Sequence, residues 1–291
     1  MNTYPARLKL PRLSTALIIA SLLGGLGLGH TAQAQELLYR FNESGSTCIN
    51  RGTAGSDANL GLYGPTGDPG DYHTKSGSGL AGPAGLVCLN FTSATGMGTG
   101  FTGPYARGKA GSVLNDAVSF TITGWYNASE EPDNGARLFQ SGSLILFFSS
   151  GLILQTGEGN ALDSISSVAG KIRKEHGPSP LDDAIYFDET KHWVFFAVTY
   201  TRGANEATVT FYKGDSLPTR PLSFNSSKYI RDADLIGNSS QIYLGGIGDA
   251  DNVRPFKGLL AEVRVYASNK NASAALDAAA IKKIHQAGLA K

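Results

Sequence analysis

The run "VSFTITGWY" (Val118–Tyr126) changes side-chain character at every residue. A β-strand turns successive side chains to opposite faces, so Val118, Phe120, Ile122 and Gly124 share one side and Ser119, Thr121, Thr123 and Trp125 the other. The same chemistry recurs outward from it, in "RLFQSG", "LILFFSS", "LILQTG", "HWVFFAVTYT", "ATVTFYKG", "QIYLGGIG" and "LLAEVRVYA". These runs are short, rich in β-branched and aromatic residues, and separated by turns. That pattern predicts an all-β fold, a two-sheet antiparallel jelly-roll sandwich. "SSGLILQTG" is read as the hairpin partner of "LILFFSS", and the charged, proline-containing stretch 167–190 as an inserted loop.

One helix is expected, over about 272–287 and docked on the sheet. Leu276, Ala280, Ile281 and Ile284 form its apolar stripe, Asn271 or Ser273 supplies a cap, and Gly288 suits its end. Lys282, Lys283 and His285 fall in the last turn, where cations favour the helix dipole.

The 291 residues open with Arg7, Lys9 and Arg12, then an apolar run (Leu13–Gly29) and "AQA" (Ala32–Ala34). This is the layout of a secretory signal peptide, residues 1–34, with an uncleaved anchor as the rival reading. The remainder, 35–291, is read as one domain, secreted, periplasmic or held at the cell surface. Of the 25 cations those three leave with the leader, so 22 face 24 acids and the net charge is near −2. Such a balance gives no pull toward nucleic acid. No later segment is apolar enough for a membrane span. Two cysteines in an oxidising compartment, Cys48 and Cys88, predict one disulfide closing a loop of about forty residues, worth roughly 3–4 kcal/mol.

Several segments carry a family resemblance. "SFTITGWYNA", "HWVFFAVTYTRGANEATVTFYKGD" and "QIYLGGIGDADNVRPFKGLLAEVRVYASNKNASAALDAAAI" resemble successive strands of laminin-G-like jelly rolls, members of the concanavalin A-like lectin and glucanase superfamily. "LLYRFNESGSTCINRG" and "GLVCLNFT" are similar to the family's opening strands. The resemblance implies an exported binding module without catalytic activity, for carbohydrate or an extracellular or cell-surface protein. The alternatives are a glycoside hydrolase or lyase on the same fold, or an adhesive envelope protein. The chain departs from the family at Ala261, where an acid is frequent before Glu262, and at Ala280, where Glu is usual.

Glu262 is the acid a catalytic reading would choose. Glycosidases need two carboxyl groups across the sugar bond, and strand periodicity puts Leu260, Glu262, Arg264 and Tyr266 on one face. A cation beside a carboxylate favours its ionised form, the opposite of a general acid, so Glu262 reads as a structural brace and no catalytic residue is named. The turn at Asp249, Asp251 and Asn252 offers oxygen ligands that suit calcium, the one cofactor considered. Tyr63, Tyr72, Tyr105 and Tyr186, with Phe187, are the candidate sugar-stacking aromatics; Trp125 and Trp193 read as core. "GPYARGKA" (Gly103–Ala110) has phosphate-loop spacing but ends in alanine, where magnesium needs Ser or Thr.

Overall fold

The structure, a computed structural model, describes residues 36–75, 87–132, 134–158, 161–171, 184–217, 220–231, 239–248 and 254–289. Strands follow in chain order as β1 (Leu37–Tyr39), β2 (Thr47–Cys48), β3 (Leu60–Tyr63), β4 (His73–Lys75), β5 (Val87–Asn90) and β6 (Tyr105–Gly108). Then come β7 (Ser119–Ala128), β8 (Arg137–Ser141), β9 (Leu144–Phe148), β10 (Leu152–Glu158), β11 (Ala161–Ser166) and β12 (Gly170–Lys171). The last are β13 (Val194–Arg202), β14 (Glu206–Asp215), β15 (Ser223–Ile230), β16 (Ile242–Leu244) and β17 (Gly258–Ser268), before helix α1 (Ala278–Leu289).

They form two antiparallel sheets. One has eight strands, β15-β14-β13-β7-β17-β5-β4 with β1 also on β17; the other has nine, β12-β11-β10-β9-β8-β16-β6-β3-β2. Phe120 and Ile122 of β7, and Val263 and Val265 of β17, share one buried cluster with Leu146 and Leu154 of the opposite sheet. The fold is therefore the expected all-β sandwich, and burial between its layers is its main stabilisation. The β9–β10 hairpin is present in the expected place, with Leu152 opposite Phe148. "YARG" of the would-be phosphate loop is strand β6.

The alternation in β7 holds, yet both its faces are buried. Its polar face is covered by the C-terminal segment. Ser119 Oγ donates to the Asn271 carbonyl at 2.7 Å and accepts from the Ala274 amide at 3.1 Å. Thr121 Oγ1 donates to the Ala274 carbonyl at 2.6 Å and accepts from the Leu276 amide at 2.9 Å. The hydroxyls that mark β7 as amphipathic are the groups that hold this segment, so no buried polar atom is stranded there. Beyond them Trp125, Phe195 and Tyr266 join Ile281 and Ile284 of α1 in a second, outer cluster.

Three expectations are corrected here. The helix begins at Ala278, not near 272: a 3₁₀ turn at Ala272–Ala274, capped by Asn271, comes first, and Asp277 accepts from the Ala280 amide at 2.8 Å at the helix start. Part of the stretch read as a loop forms strand β12 against β11. Leu260, Glu262, Arg264 and Tyr266 do not share a face, because the β17–β7 register shifts between Ala261 and Arg264. Leu260 belongs to the inner cluster and Tyr266 to the outer one. A bulge adds one residue to one strand, which exchanges the faces beyond it.

Candidate functional site: the outer face of the nine-stranded sheet

On β3, β6 and β16 the inner positions Leu62, Ala106 and Leu244 enter the core. Their neighbours therefore look outward. Register then lines up one residue from each of seven strands: Gly61, Arg107, Tyr243, Gln140, Ile145, Gln155 and Ser164. Adjacent strands lie about 4.8 Å apart, so the row runs for about 29 Å across the sheet. Arg107, Tyr243, Gln140, Gln155 and Ser164 are each partly exposed.

At one end of the row the side chains support one another. Tyr63 and Tyr105, opposite each other on β3 and β6, stack with ring centroids 5.3 Å apart and planes 18° from parallel. Tyr105 meets Tyr243 at 6.5 Å. The Arg107 guanidinium carbon sits 4.8 Å from the Tyr63 ring centre. A hydrogen bond with the Tyr63 side chain pushes Arg107 above its ordinary value, and burial does the same to Tyr105. A Cβ at Gly61 would stand 2.7 Å from the Tyr63 hydroxyl oxygen, so a larger residue there would displace the Tyr63 ring. Further along, Arg137 donates to Gln140 Oε1 and Gln140 Nε2 to the Gly142 carbonyl at 3.1 Å. Arg137 is 5 % exposed, and burial followed by the charge of Arg254 pulls its pKa down to about 10. Tyr105 is itself buried beneath this end of the row. The face thus offers the partly exposed Tyr63 and Tyr243, the Gln140 and Gln155 amides, the Ser164 hydroxyl and the Arg107 guanidinium, with Arg137 behind Gln140.

The structure brings Tyr63 and Tyr105 together and separates them from the other two aromatics. Tyr72 packs against the core. Tyr186 is 55 % exposed and borders a cleft of about 320 Å³ in the loops, with Glu131, Asn134, Phe148, Ser150 and Asp188. Phe187 is buried, with the Lys213 ammonium 5.6 Å from its ring centre. Asp249, Asp251 and Asn252 lie outside the described residues, as does the stretch 1–34 that reads as a signal peptide. Among the described residues no cluster of three or more His, Cys, Asp or Glu side chains is arranged for a metal. Arg107, Tyr243 and Gln140 were missed. "YARG" and "QIYLG" carry them at alternate positions, but their neighbourhood depends on pairing between strands distant in sequence.

Glu262 pairs as expected. Arg264 Nη2 donates to its Oε2 at 2.7 Å, with side chains 13 % and 5 % exposed. The disulfide is corrected: both cysteines are free and buried. Cys48 belongs to the inner cluster and Cys88 to the outer, so the eight-stranded sheet stands between them. Cys48 Sγ lies 3.5 Å from His73 Nε2, whose Nδ1 is 2.8 Å from Asp71 Oδ1. That order suits an activated thiol. Cys48, however, is fully buried, and burial pushes its pKa well up, so it lacks both access and thiolate character.

No protein-family model matches the chain, and no curated protein gives a significant sequence match. Solved structures are similar in architecture. A receptor-binding domain of botulinum neurotoxin type G gives a TM-score of 0.48 at 12 % identity, over 87 % of this chain and 51 % of that one. An alginate lyase from Chlorella virus gives 0.38 at 10 %, over 74 % and 94 %, and peanut lectin with a bound peptide gives 0.31 at 8 %, over 74 % and 94 %. The chain spans about half the length of the toxin domain. Among the described residues no helix is long and apolar enough to cross a membrane.

Proposed function

We propose that this chain is an exported, non-catalytic binding module of laminin-G-like type that takes an extended carbohydrate along the outer row of the nine-stranded sheet. The observation that carries it is the register line Arg107–Tyr243–Gln140–Ile145–Gln155–Ser164, flanked by the Tyr63–Tyr105 stack. Sugars present apolar C–H faces and rims of hydroxyls. Aromatic faces answer the first, and amide, hydroxyl and guanidinium groups the second. An open line of such groups, rather than a closed pocket, fits the interior of a glycan chain better than its terminus. No outward position of the row holds a carboxylate, which supports binding over glycosidic cleavage by paired acids.

A glycan array followed by calorimetry tests this. Tyr243→Ala is expected to weaken binding about tenfold, near 1.4 kcal/mol, with the fold intact by circular dichroism. Array binding lost in chelator would show a metal requirement. A loss of thermal stability in Asp251→Ala only when calcium is present would assign it to Asp249, Asp251 and Asn252. Absence of any retained glycan favours the adhesive reading, and shortening of a bound glycan on incubation overturns the non-catalytic one.

A further inference from the structure

We infer that the glycan is acidic, with Arg107 and Arg137 receiving its carboxylates; this rests on the row being the glycan-binding face. Six cations elsewhere among the described residues meet carboxylates. Arg51 meets Glu43 at 3.0 Å, Arg220 meets Asp215 at 3.0 Å, Arg264 meets Glu262 at 2.7 Å and Lys257 meets Glu130 at 3.2 Å. Lys213 and Lys228 likewise hold Glu189 and Glu206. The partners of Arg107 and Arg137 among the described residues are instead a tyrosine ring and a glutamine amide. Acids are not scarce, since 24 are available to 22 cations in residues 35–291. The outward line Gly61, Arg107, Tyr243, Gln140, Ile145, Gln155, Ser164 nevertheless contains none. The row thus carries a guanidinium and no carboxylate, in a chain whose balance is slightly negative.

Arg137 makes the case stronger. It is 95 % withdrawn from solvent and shares its surroundings with a second guanidinium, Arg254, so its charge is doubly disfavoured. Burying a cation without a counter-ion is unfavourable, and an incoming carboxylate relieves it. Guanidinium is also the right donor, because its planar fork binds both oxygens of a carboxylate, and its place over the Tyr63 ring, with a hydrogen bond to the Tyr63 side chain, restrains the Arg107 fork. Gln140, which accepts from Arg137, sits two strands from Arg107, about 10 Å across the sheet. In an extended uronic-acid chain, carboxylates on one side recur at every second residue, a repeat of comparable length.

The test is calorimetry of the full chain with hexamers of galacturonate, mannuronate and guluronate, each beside its carboxyl-reduced neutral counterpart, at low and high salt. At least one acidic hexamer is expected to bind about tenfold or more tightly than its reduced form, with the gap narrowing as salt screens the charges. Arg107→Gln, at a partly exposed site, and Arg137→Gln are expected to shrink that gap. Tyr243→Ala should weaken both forms alike, and Lys282→Gln/Lys283→Gln, on the exposed face of α1, should leave the preference intact. Equal affinity for acidic and reduced hexamers overturns the acidic assignment and leaves glycan binding standing. A preference abolished by the helix lysines and not by the arginines also overturns it. Failure of every hexamer, charged and neutral, to bind overturns both readings.

Discussion

The imidazole of His285 lies against the indole of Trp125, ring centroids 5.3 Å apart and planes 21° from parallel, with Phe195 at 5.1 Å on the same histidine. His285 Nε2 donates to the Asp215 carbonyl at 2.8 Å. Burial lowers the His285 pKa below 6.5, and the hydrogen bond to Asp215 opposes it less strongly. The unfolded chain therefore takes up the proton first as pH falls. Stability is full above about 6.5, declines as pH drops below it, and levels off once the folded chain is also protonated. Melts at pH 7.5 and 5 should show this loss, and His285→Gln, which keeps a donor toward Asp215, should flatten it. An unchanged slope in that variant excludes His285 as its source. Asp71, whose pKa is lowered below 3.8 chiefly by the Gly45 amide, acts at lower pH than this window.

The same docking explains a glycine that resembles a helix terminator in sequence but lies inside α1. A Cβ on Gly288 would stand 2.5 Å from Trp125 Nε1. The indole cannot retreat, because Phe195 and His285 hold it from other sides. Alanine within a helix ordinarily gains about 1 kcal/mol over glycine. Here Gly288→Ala is expected to destabilise by about 1–3 kcal/mol through overpacking. A raised melting temperature would falsify the close-approach account.

Glu262 has φ +48°, in the left-handed region that non-glycine residues seldom adopt, and it does so within the β17 bulge. Its carboxylate and Arg264 are nearly buried together. Removing one partner leaves the other charge uncompensated, so Glu262→Ala or Arg264→Ala should each lose about 3 kcal/mol. Replacing both by methionine should fall within about 1 kcal/mol of the parent, since similar volume without charge needs no partner. Chemical denaturation of the three variants measures this. Additive losses in the double variant would show that the two side chains are held by something other than each other.

Local chemistry made the sandwich readable and hid most of the site. Phe120, Ile122 and Trp125 announce a two-faced strand by their own spacing, and the "SSG" turn announces the β9–β10 hairpin. The bulge between Ala261 and Arg264 leaves no such mark, since "AEVR" alternates as well as any strand, and so the shared face assigned to Leu260 and Tyr266 was wrong. Helix periodicity extended too far toward residue 272 because Ala272–Ala275 suits a helix; hydroxyls 150 residues away on β7 capture those amides instead. Tyr63 and Tyr105 are legible as candidates by residue type alone. Their companions Arg107, Tyr243 and Gln140 are neighbours only through pairing among β6, β16 and β8, which no short segment encodes.

Cys48 and Cys88 are expected to be free thiols, against the disulfide that two cysteines in an exported chain would favour. Cys48 and Cys88 occupy different clusters on either side of a sheet, and a disulfide needs Cα atoms within about 7 Å with side chains converging. Burial pushes Cys88 up to about 12, and Cys48 is raised in the same direction. Thiolate is the reactive form, so the native protein should resist alkylation at neutral pH. Unfolding in denaturant without reductant should then release two thiols per chain in a colorimetric thiol assay. Zero thiols under those conditions, with two appearing only after reduction, would establish the bridge and require the β4–β5 edge to lie differently from the arrangement that pairs Thr74 with Cys88.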